Sequence, residues 1–579
     1  MTNQEKRWEI LIKKSPKSEE EIIDGLLKNR GIKTSKQKEE FFNPADPMKI
    51  SLKSIGIKEI EVKKAINRIK KAKKSGEHVI IYGDYDADGI TGTAALWETL
   101  HELGIFVLPH IPERFSEGYG LNADSIKKLK TLNPKLKLII TVDHGIVANK
   151  KIDLARELGI DVIITDHHHP STTLTSSRGL RPRVGGASVR GKERRSVFPN
   201  ALAIIHTEKI SGSAVAWFFS REIVRQLRIK NEELRIRERL QLAAIGTIAD
   251  QLPLLGANRS VVKYGLSYLN KTTRPGLIEL IKNAGIEKGN IGTYEVGFII
   301  APRINSMGRL ENAIDSLRLL CTPNRERAVQ IARHIANTNL ERQKIVEEVV
   351  VHARQNVDDH KIIVLAHRNY HEGVIGLAAA RLVEEFYRPA IVLSKKGKVS
   401  KASARSISGF NIIEAIRSLA DLYIEGGGHP MAAGFSIETK KITEFSKRIN
   451  KIAKGLLTEE ILSRKLKIDL EVKFVNLNYK LFDQIRVFEP TGLGNPTPTF
   501  ITGGVEVLDA RTVGREARHL KLKLKQDEQV FDSIFFDGGE IYSKLTPDTK
   551  IDIVYQLEED VWNGLKSLQL KIKDLKLPG

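Results

Sequence analysis

From residue 76 onward the chain alternates short apolar runs with segments of helical spacing. The run His78-Val79-Ile80-Ile81-Tyr82 reads as a buried parallel strand, and the apolar positions from Ile90 to Leu103 read as a helix packed back onto it. The same alternation predicts strands at 79–83, about 105–109, 137–142 and 161–165, with helices at 90–103, 122–131 and 148–158 between them. A second α/β unit starts near residue 360. It has strands in KIIVLAH and AIVLS, helices from Gly373 to Tyr387 and from Asn411 to Leu422, and a glycine-rich turn at Gly426-Gly427-Gly428-His429. Between the two, residues 310–357 are mostly helical, and ERAVQIARHIANTNLERQKIVEEVVVHARQNV suggests one long helix.

After about residue 465 the period shortens to alternating strands, IDLEVKF, FITGGVEVLDARTV, HLKLKLK, VFDSIFF, KIDIVYQLE and LQLKIKDL. Short strands with turn signals at this density predict a small β-barrel of the OB type, a frequent single-strand nucleic-acid module. Residues 1–75 read as short helices and loops, with a Lys-rich helix from Ile60 to Lys74 and no chemical motif. The fold class is therefore α/β with a terminal barrel, divided as 1–75, 76–310, 311–358, 359–457 and 465–579. One stretch breaks the pattern. Residues 175–198 are rich in Gly, Ser and Arg without periodicity and read as a disordered insertion, with a basic nucleic-acid-binding loop as the alternative.

Composition narrows the partners. A chain of 579 residues is too long for one core, and 41% hydrophobic residues can bury three or four. No apolar run reaches membrane-spanning length, and the opening MTNQEKRWEILIKK lacks the apolar core of a signal peptide, so the cytoplasm is the expected compartment. The single cysteine, Cys321, excludes an intrachain disulfide and a cysteine metal cluster, and reads as a small core residue. A net charge of +22 points to a polyanionic partner, nucleic acid before membrane.

The chemistry sits at the strand ends. Asp84, Asp86 and Asp88 stand at every second position after the first strand, so in an extended segment their carboxylates project to one side, where α/β sheets bind ligands. Uncompensated carboxylates there repel one another unless cations sit among them. Asp84-Tyr85-Asp86-Ala87-Asp88-Gly89 copies the first half of an EF-hand loop, but Ala95 stands where the bidentate Glu belongs. Asp143 follows in LIITVDHG, Asp166, His167, His168 and His169 in VIITDHHH, and Asp250 in GTIADQLPL. Oxygen-rich ligands with one or two imidazoles favour Mn²⁺ or Mg²⁺ over structural zinc. One Asp bridging two ions is the simplest way to accommodate so many carboxylates, and two such ions can activate a water and stabilise the leaving oxygen of a phosphoester.

At this point the sequence resembles the DHH phosphoesterase superfamily, and within it the RecJ single-stranded-DNA exonucleases, over roughly residues 8–575. The resemblance is carried by IYGDYDADGITG, PERFSEGYGL, ITVDHGI, ITDHH, GTIADQLPLLGANR, APRINSMGRL, EGVIGLAAARLVEEFYRPAIVL, SARSISGFNI, EGGGHPMAAGFSI and EPTGLGNPTPTF. It implies a parallel-sheet DHH catalytic domain, a connecting helix, a DHH-associated domain and an OB-fold. It also implies 5′-to-3′ hydrolysis of single-stranded DNA in repair and recombination with two Mn²⁺ or Mg²⁺ ions, and a single-strand-binding protein and a helicase as partners. Asp86 and Asp88 match the family's first-motif ligands, Asp143 the bridging ligand, and His167 and Asp250 ligands of the second ion. His168 matches a metal-adjacent, phosphate-contacting position, Asp84 is an ancillary ligand, and Asp166 is placed to orient a neighbouring His. Arg114, Ser403 and Arg405 match positions that hold a 5′ phosphate, while Arg303, Arg309, Gly428 and His429 match strand-contacting positions. The 175–198 insertion and His169, to which no role attaches, depart from the family pattern, and the sequence stops at Gly579, before the further C-terminal domain of some relatives. A DHH phosphodiesterase of short oligonucleotides or RNA is the alternative activity. A pyrophosphatase would need neither the barrel nor the EGYGL and SARS motifs, and a non-catalytic scaffold would have lost ligands.

Overall fold

Five parallel strands, in the order Val107–His110, His78–Gly83, Leu136–Val142, Asp161–Asp166 and Ala203–His206, form the sheet that carries the acidic motifs. His78–Gly83, Leu136–Val142 and Asp161–Asp166 are buried almost end to end, as strands of a sheet covered on both faces must be. The chain steps from His78–Gly83 to one neighbour and then crosses to the other. The ends of His78–Gly83 and Leu136–Val142 therefore flank the crevice where the strand order reverses. Asp84 and Asp143 are the residues immediately after those two strands. The computed structural model describes residues 6–175, 193–227 and 232–577.

The chain divides into two compact units, one of Asn43–Leu340 with Pro490–Asn495, the other of Met1–Phe42, Glu341–Glu489 and Pro496–Gly579. The boundary at Leu340 falls inside the 32-residue helix Arg325–Asn356. In the first unit, the helix Ala87–Glu102 packs among Gly212–Leu227, Glu232–Ala249 and Gly256–Leu269 in two apolar clusters built around Leu96, Leu100, Trp217 and Ile245. That helix begins at Ala87 rather than Ile90, because Asp86 caps it by accepting hydrogen bonds from the Asp88 and Gly89 N–H groups. Among the described residues no helix is long and apolar enough to cross a membrane.

The second unit holds two sheets. One runs Tyr423–His429, Ala432–Glu438, Val399–Arg405, Ala390–Lys396, Ile363–His367, with only the last pair parallel. The glycine-rich segment expected to be a turn is its edge strand. Glycine is needed there because a Cβ on Gly428 would fall 2.3 Å from the Ala432 carbonyl oxygen and one on Gly426 2.7 Å from the Phe435 Cβ. The other sheet closes into a five-stranded barrel, Phe500–Val513, His519–Gln526, Gln529–Phe535, Leu565–Lys576 and Lys550–Trp562, the last returning to the first. Lys465–Glu471 and then Arg7–Ile12 extend it in parallel. The N-terminal segment, expected to be only helices and loops, thus contributes a strand to the C-terminal sheet. Trp8 Nε1 donates to Asp574 at 2.7 Å, and Arg30 pairs with Asp469 at 3.2 Å with both side chains buried.

The span 175–198 is not wholly irregular. Its ends join a two-stranded antiparallel ribbon, Ser171–Thr175 with Glu193–Val197, while residues 176–192 lie outside the described residues.

Candidate metal centre and phosphate sites

The three aspartates after the first strand do not form an extended comb. Asp84 ends the strand, Asp86 caps the helix, and Asp88 lies in the first helical turn, where its carboxylate accepts from the Gly212 N–H at 2.7 Å and the Ser213 N–H at 3.1 Å. The N-cap preference of Asp overrides the alternation that the spacing suggested. Small residues make the packing possible. A Cβ on Gly89 would lie 2.7 Å from the Asp84 carbonyl oxygen, and one on Gly246 would lie 2.3 Å from Asp88 Oδ1. Asp143 adopts φ 66°, in the left-handed region, directly after its strand.

His167 Nε2 lies 3.1 Å from Asp143 Oδ1, 3.5 Å from Asp250 Oδ2 and 3.9 Å from Asp88 Oδ2. Three sets of potential ligand atoms result: Asp84, Asp86 and Asp143; Asp88, His167 and Asp250; and Asp143, His167 and His168, each set within 4.8 Å. Asp143 and His167 each belong to two of them. Asp84 groups with Asp86, whereas Asp88 groups with His167 and Asp250, the residues matched to the second ion.

Burial, and then repulsion from neighbouring aspartates, raises Asp84, Asp86 and Asp143 above the ordinary carboxylate range and Asp250 to about 8. Buried oxygens of Asp84 and Asp143 have no hydrogen-bond partner. Carboxylates so placed fit divalent cations, which would ionise them and complete their unpaired oxygens.

Asp166 plays a different part. It accepts from the N–H groups of Ile146, His167 and His168 and from His168 Nδ1 at 2.8 Å; burial opposes its charge, but these bonds hold it well below the usual range. Burial disfavours the charged form of His168 as well, yet the Asp166 pairing outweighs it and lifts the imidazole to about 9. The Asp166 pairing thus fixes the His168 ring at the edge of the acidic cluster. His169 is mostly exposed and pairs with Glu208.

Other residues at this centre carried no role in the sequence reading. Tyr119 donates to the Asp143 carbonyl at 3.3 Å and lies 3.4 Å from His168 Nε2. Asn305 accepts from the Ala87 N–H at 2.7 Å, bringing the helix Ala301–Leu310 onto the acidic turn. Both lie in quoted motifs, EGYGL and APRINSMGRL, and presence in those motifs was the only signal.

Of the predicted phosphate and strand contacts in this unit, Arg114 donates to the Gly308 carbonyl at 2.8 Å and stacks 4.1 Å from the Tyr85 ring centre. Arg303 and Arg309 lie on Ala301–Leu310. In the other unit, Ser403 and Arg405 share one side of Val399–Arg405, with Arg405 Nη1 3.4 Å from Ser403 Oγ. Burial lowers Arg405, and no carboxylate offsets it. The N-terminus of the helix Ile375–Phe386 adjoins them: a Cβ on Gly376 would fall 2.9 Å from Ser403 Oγ and 3.4 Å from Arg405 Nη2. A partly buried guanidinium, a hydroxyl and a helix N-terminus thus lie together, an arrangement suited to an anion. Gly428 and His429 lie on the exposed edge strand.

Three family models match: the DHH family N-terminal domain over residues 78–247, the DHHA1 domain over 359–455 and the RecJ OB domain over 468–574. The single-stranded-DNA-specific exonuclease RecJ of Bacillus subtilis is 36% identical over 566 residues, covering 96% of this chain and 67% of the relative. The chain belongs to the RecJ family. The Escherichia coli RecJ is 30% identical over 538 residues, covering 89% of this chain and 90% of its own. Among solved structures, Thermus thermophilus RecJ in complex with Mn²⁺ superposes with TM-score 0.81 at 28% identity, covering 99% of this chain and 80% of that one. The same RecJ with Mg²⁺ gives TM-score 0.75 at 27% identity, covering 99% and 79%. Those ions are the ones the carboxylate and imidazole sets here are suited to hold.

Proposed function

We propose that this chain is a single-stranded-DNA-specific exonuclease of the cytoplasm that hydrolyses phosphodiester bonds from the 5′ end towards the 3′ end in DNA repair and recombination. The observation that carries the reading is the centre itself, in which Asp84, Asp86, Asp88, Asp143, His167 and Asp250 converge as ligand sets joined through Asp143 and His167. Two Mn²⁺ or Mg²⁺ ions held there supply Lewis acidity and a water of lowered pKa. Asp84, Asp86 and Asp143 would hold one ion and Asp88, His167 and Asp250 the other, with Asp143 placed to serve both. His168, held by Asp166, donates to an oxygen of the scissile phosphate and stabilises the charge that builds on it. Nδ1 is taken by Asp166, so Nε2–H makes that donation, and the long 3.4 Å approach of the Tyr119 hydroxyl to Nε2 gives way to the phosphate oxygen.

Polarity is assigned to Ser403, Arg405 and the adjoining helix N-terminus, which receive a terminal 5′ phosphate; Arg114, in the other unit, is assigned a phosphate contact of its own. A terminal monoester carries more charge than an internal diester, so such a site selects ends. Arg303, Arg309, Gly428 and His429 contact the strand. A single-strand-binding protein and a helicase are the protein partners that fit this substrate. The test is digestion with Mn²⁺ of single strands labelled at the 5′ or the 3′ end, in DNA and RNA, beside circular DNA. Early release of a 5′-labelled mononucleotide from linear DNA, with circles resistant, is expected. Early loss of a 3′ label, or cutting of circles, overturns the polarity.

A further inference from the structure

Tyr294 and Phe298 are the most exposed feature of the helical run that leads into the metal turn. Their rings stack with centres 5.1 Å apart and planes inclined by 27°, yet the side chains remain 62% and 72% exposed. The segment beneath them, Glu295–Ile300, is a π-helix continuous with Ala301–Leu310. Its wider turn is an irregularity that occurs mostly at functional positions. Val296 and Ile300 on its other side are fully buried, and a Cβ on Gly297 would lie 3.6 Å from Ile248, two residues before Asp250. The same run then docks on the acidic turn through Asn305 and on Arg114 through Gly308.

Between the aromatic pair and that dock lies Arg303. Its guanidinium donates to the Ile299 carbonyl at 2.9 Å, its Nε is buried without a partner, and burial lowers it with no carboxylate in compensation. A cation on the same helical run, five residues beyond Phe298, on a chain of net charge +22, suits a phosphate backbone whose unstacked bases meet the exposed rings.

We infer that Tyr294 and Phe298 form a base-stacking platform for the single strand, with Arg303 taking a phosphate farther along the same helical run. This rests on the nuclease reading above and adds the subsite that gives longer strands their affinity. Stacking on an aromatic ring is sequence-tolerant and strengthens binding by about tenfold or more per base.

The experiment compares the affinity of a 5′-phosphorylated dinucleotide with that of a 5′-phosphorylated oligo-dT of twelve residues, in Ca²⁺ to suppress cleavage. The gain from short to long should shrink at least tenfold in the Tyr294→Ala/Phe298→Ala double variant and also in Phe298→Leu, which keeps an apolar side chain without a π face. Phe298→Trp should retain the gain, with its added fluorescence quenched by the long strand and not by the dinucleotide. An undiminished gain in the double variant, in a wild-type background that digests single strands, overturns the platform alone. Loss of a dimer without loss of DNA affinity would assign the patch to a second copy and overturn it too. A wild-type protein that neither binds nor digests single strands overturns the nuclease reading and the platform together.

Discussion

Asp143 occupies a backbone conformation that few residues other than glycine adopt. The turn it makes leaves its carboxylate beside His167 and free of hydrogen bonds at Oδ1. Asp143→Asn keeps the shape and removes the bridging charge, so the single-turnover rate in Mn²⁺ should fall by about 10³ or more. Near-wild-type cleavage would refute the bridge. The same substitution should act oppositely on stability. Burial of the Asp143 charge, and then repulsion from Asp88, Asp86 and Asp84, opposes folding when no cation is bound, so in EDTA the Asp143→Asn variant should melt above the wild type. Mn²⁺ should reverse the order, and an identical ranking with and without metal would count against mutual repulsion. At this scale the ligand types were legible, since Asp and His at strand ends announce themselves. Their division was not. Regular spacing placed Asp84, Asp86 and Asp88 on one side of an extended segment, whereas capping geometry sends Asp88 to a different set.

Elements decide the anion site. Strand alternation puts Ser403 and Arg405 on one side, which the sequence already indicated, but the contribution of the Ile375–Phe386 N-terminus needed the tertiary fold. Arg405→Ala should abolish the preference for a 5′-phosphorylated over a 5′-hydroxyl end while leaving Mn²⁺ binding intact, and Arg405→Lys should restore it only in part, because an ammonium lacks the planar fork. Competition between the two ends in one digest measures this. Retained preference in Arg405→Ala would move the end-recognition site elsewhere. The edge strand Tyr423–His429 was misread for a physical reason: four residues reading Gly-Gly-Gly-His carry the turn signal, and only the close approach of Ala432 and Phe435 shows why a strand requires glycine there.

For the whole molecule, the order of domains was visible in the periodicity, but the strand Arg7–Ile12 was not, because its partner Lys465–Glu471 lies at the other end of the chain. Local patterning cannot report such a pairing. The buried pair of Arg30 and Asp469 joins the same distant segments, and Asn29 Nδ2 donates to Asp469 Oδ1 at 2.9 Å. Asp469→Ala removes the carboxylate from a buried guanidinium and should cost about 3 kcal/mol, read as a lower midpoint in urea denaturation. A shift under about 1 kcal/mol would mean that water reaches Arg30. Affinity for single strands should also fall linearly in log–log form with salt, the slope counting the phosphates neutralised; a flat line would dissociate the +22 charge from binding.

The pairing of Arg7–Ile12 with Lys465–Glu471 also sets a timetable. On a ribosome moving at roughly 5–20 residues per second, the first strand emerges roughly 20 to 90 seconds before its partner. Until then its edge has no neighbour to bind. A nascent chain that stalls anywhere before the barrel leaves that edge open to chaperones and proteases. The enzyme's N-terminus therefore reports whether its C-terminal part has been made.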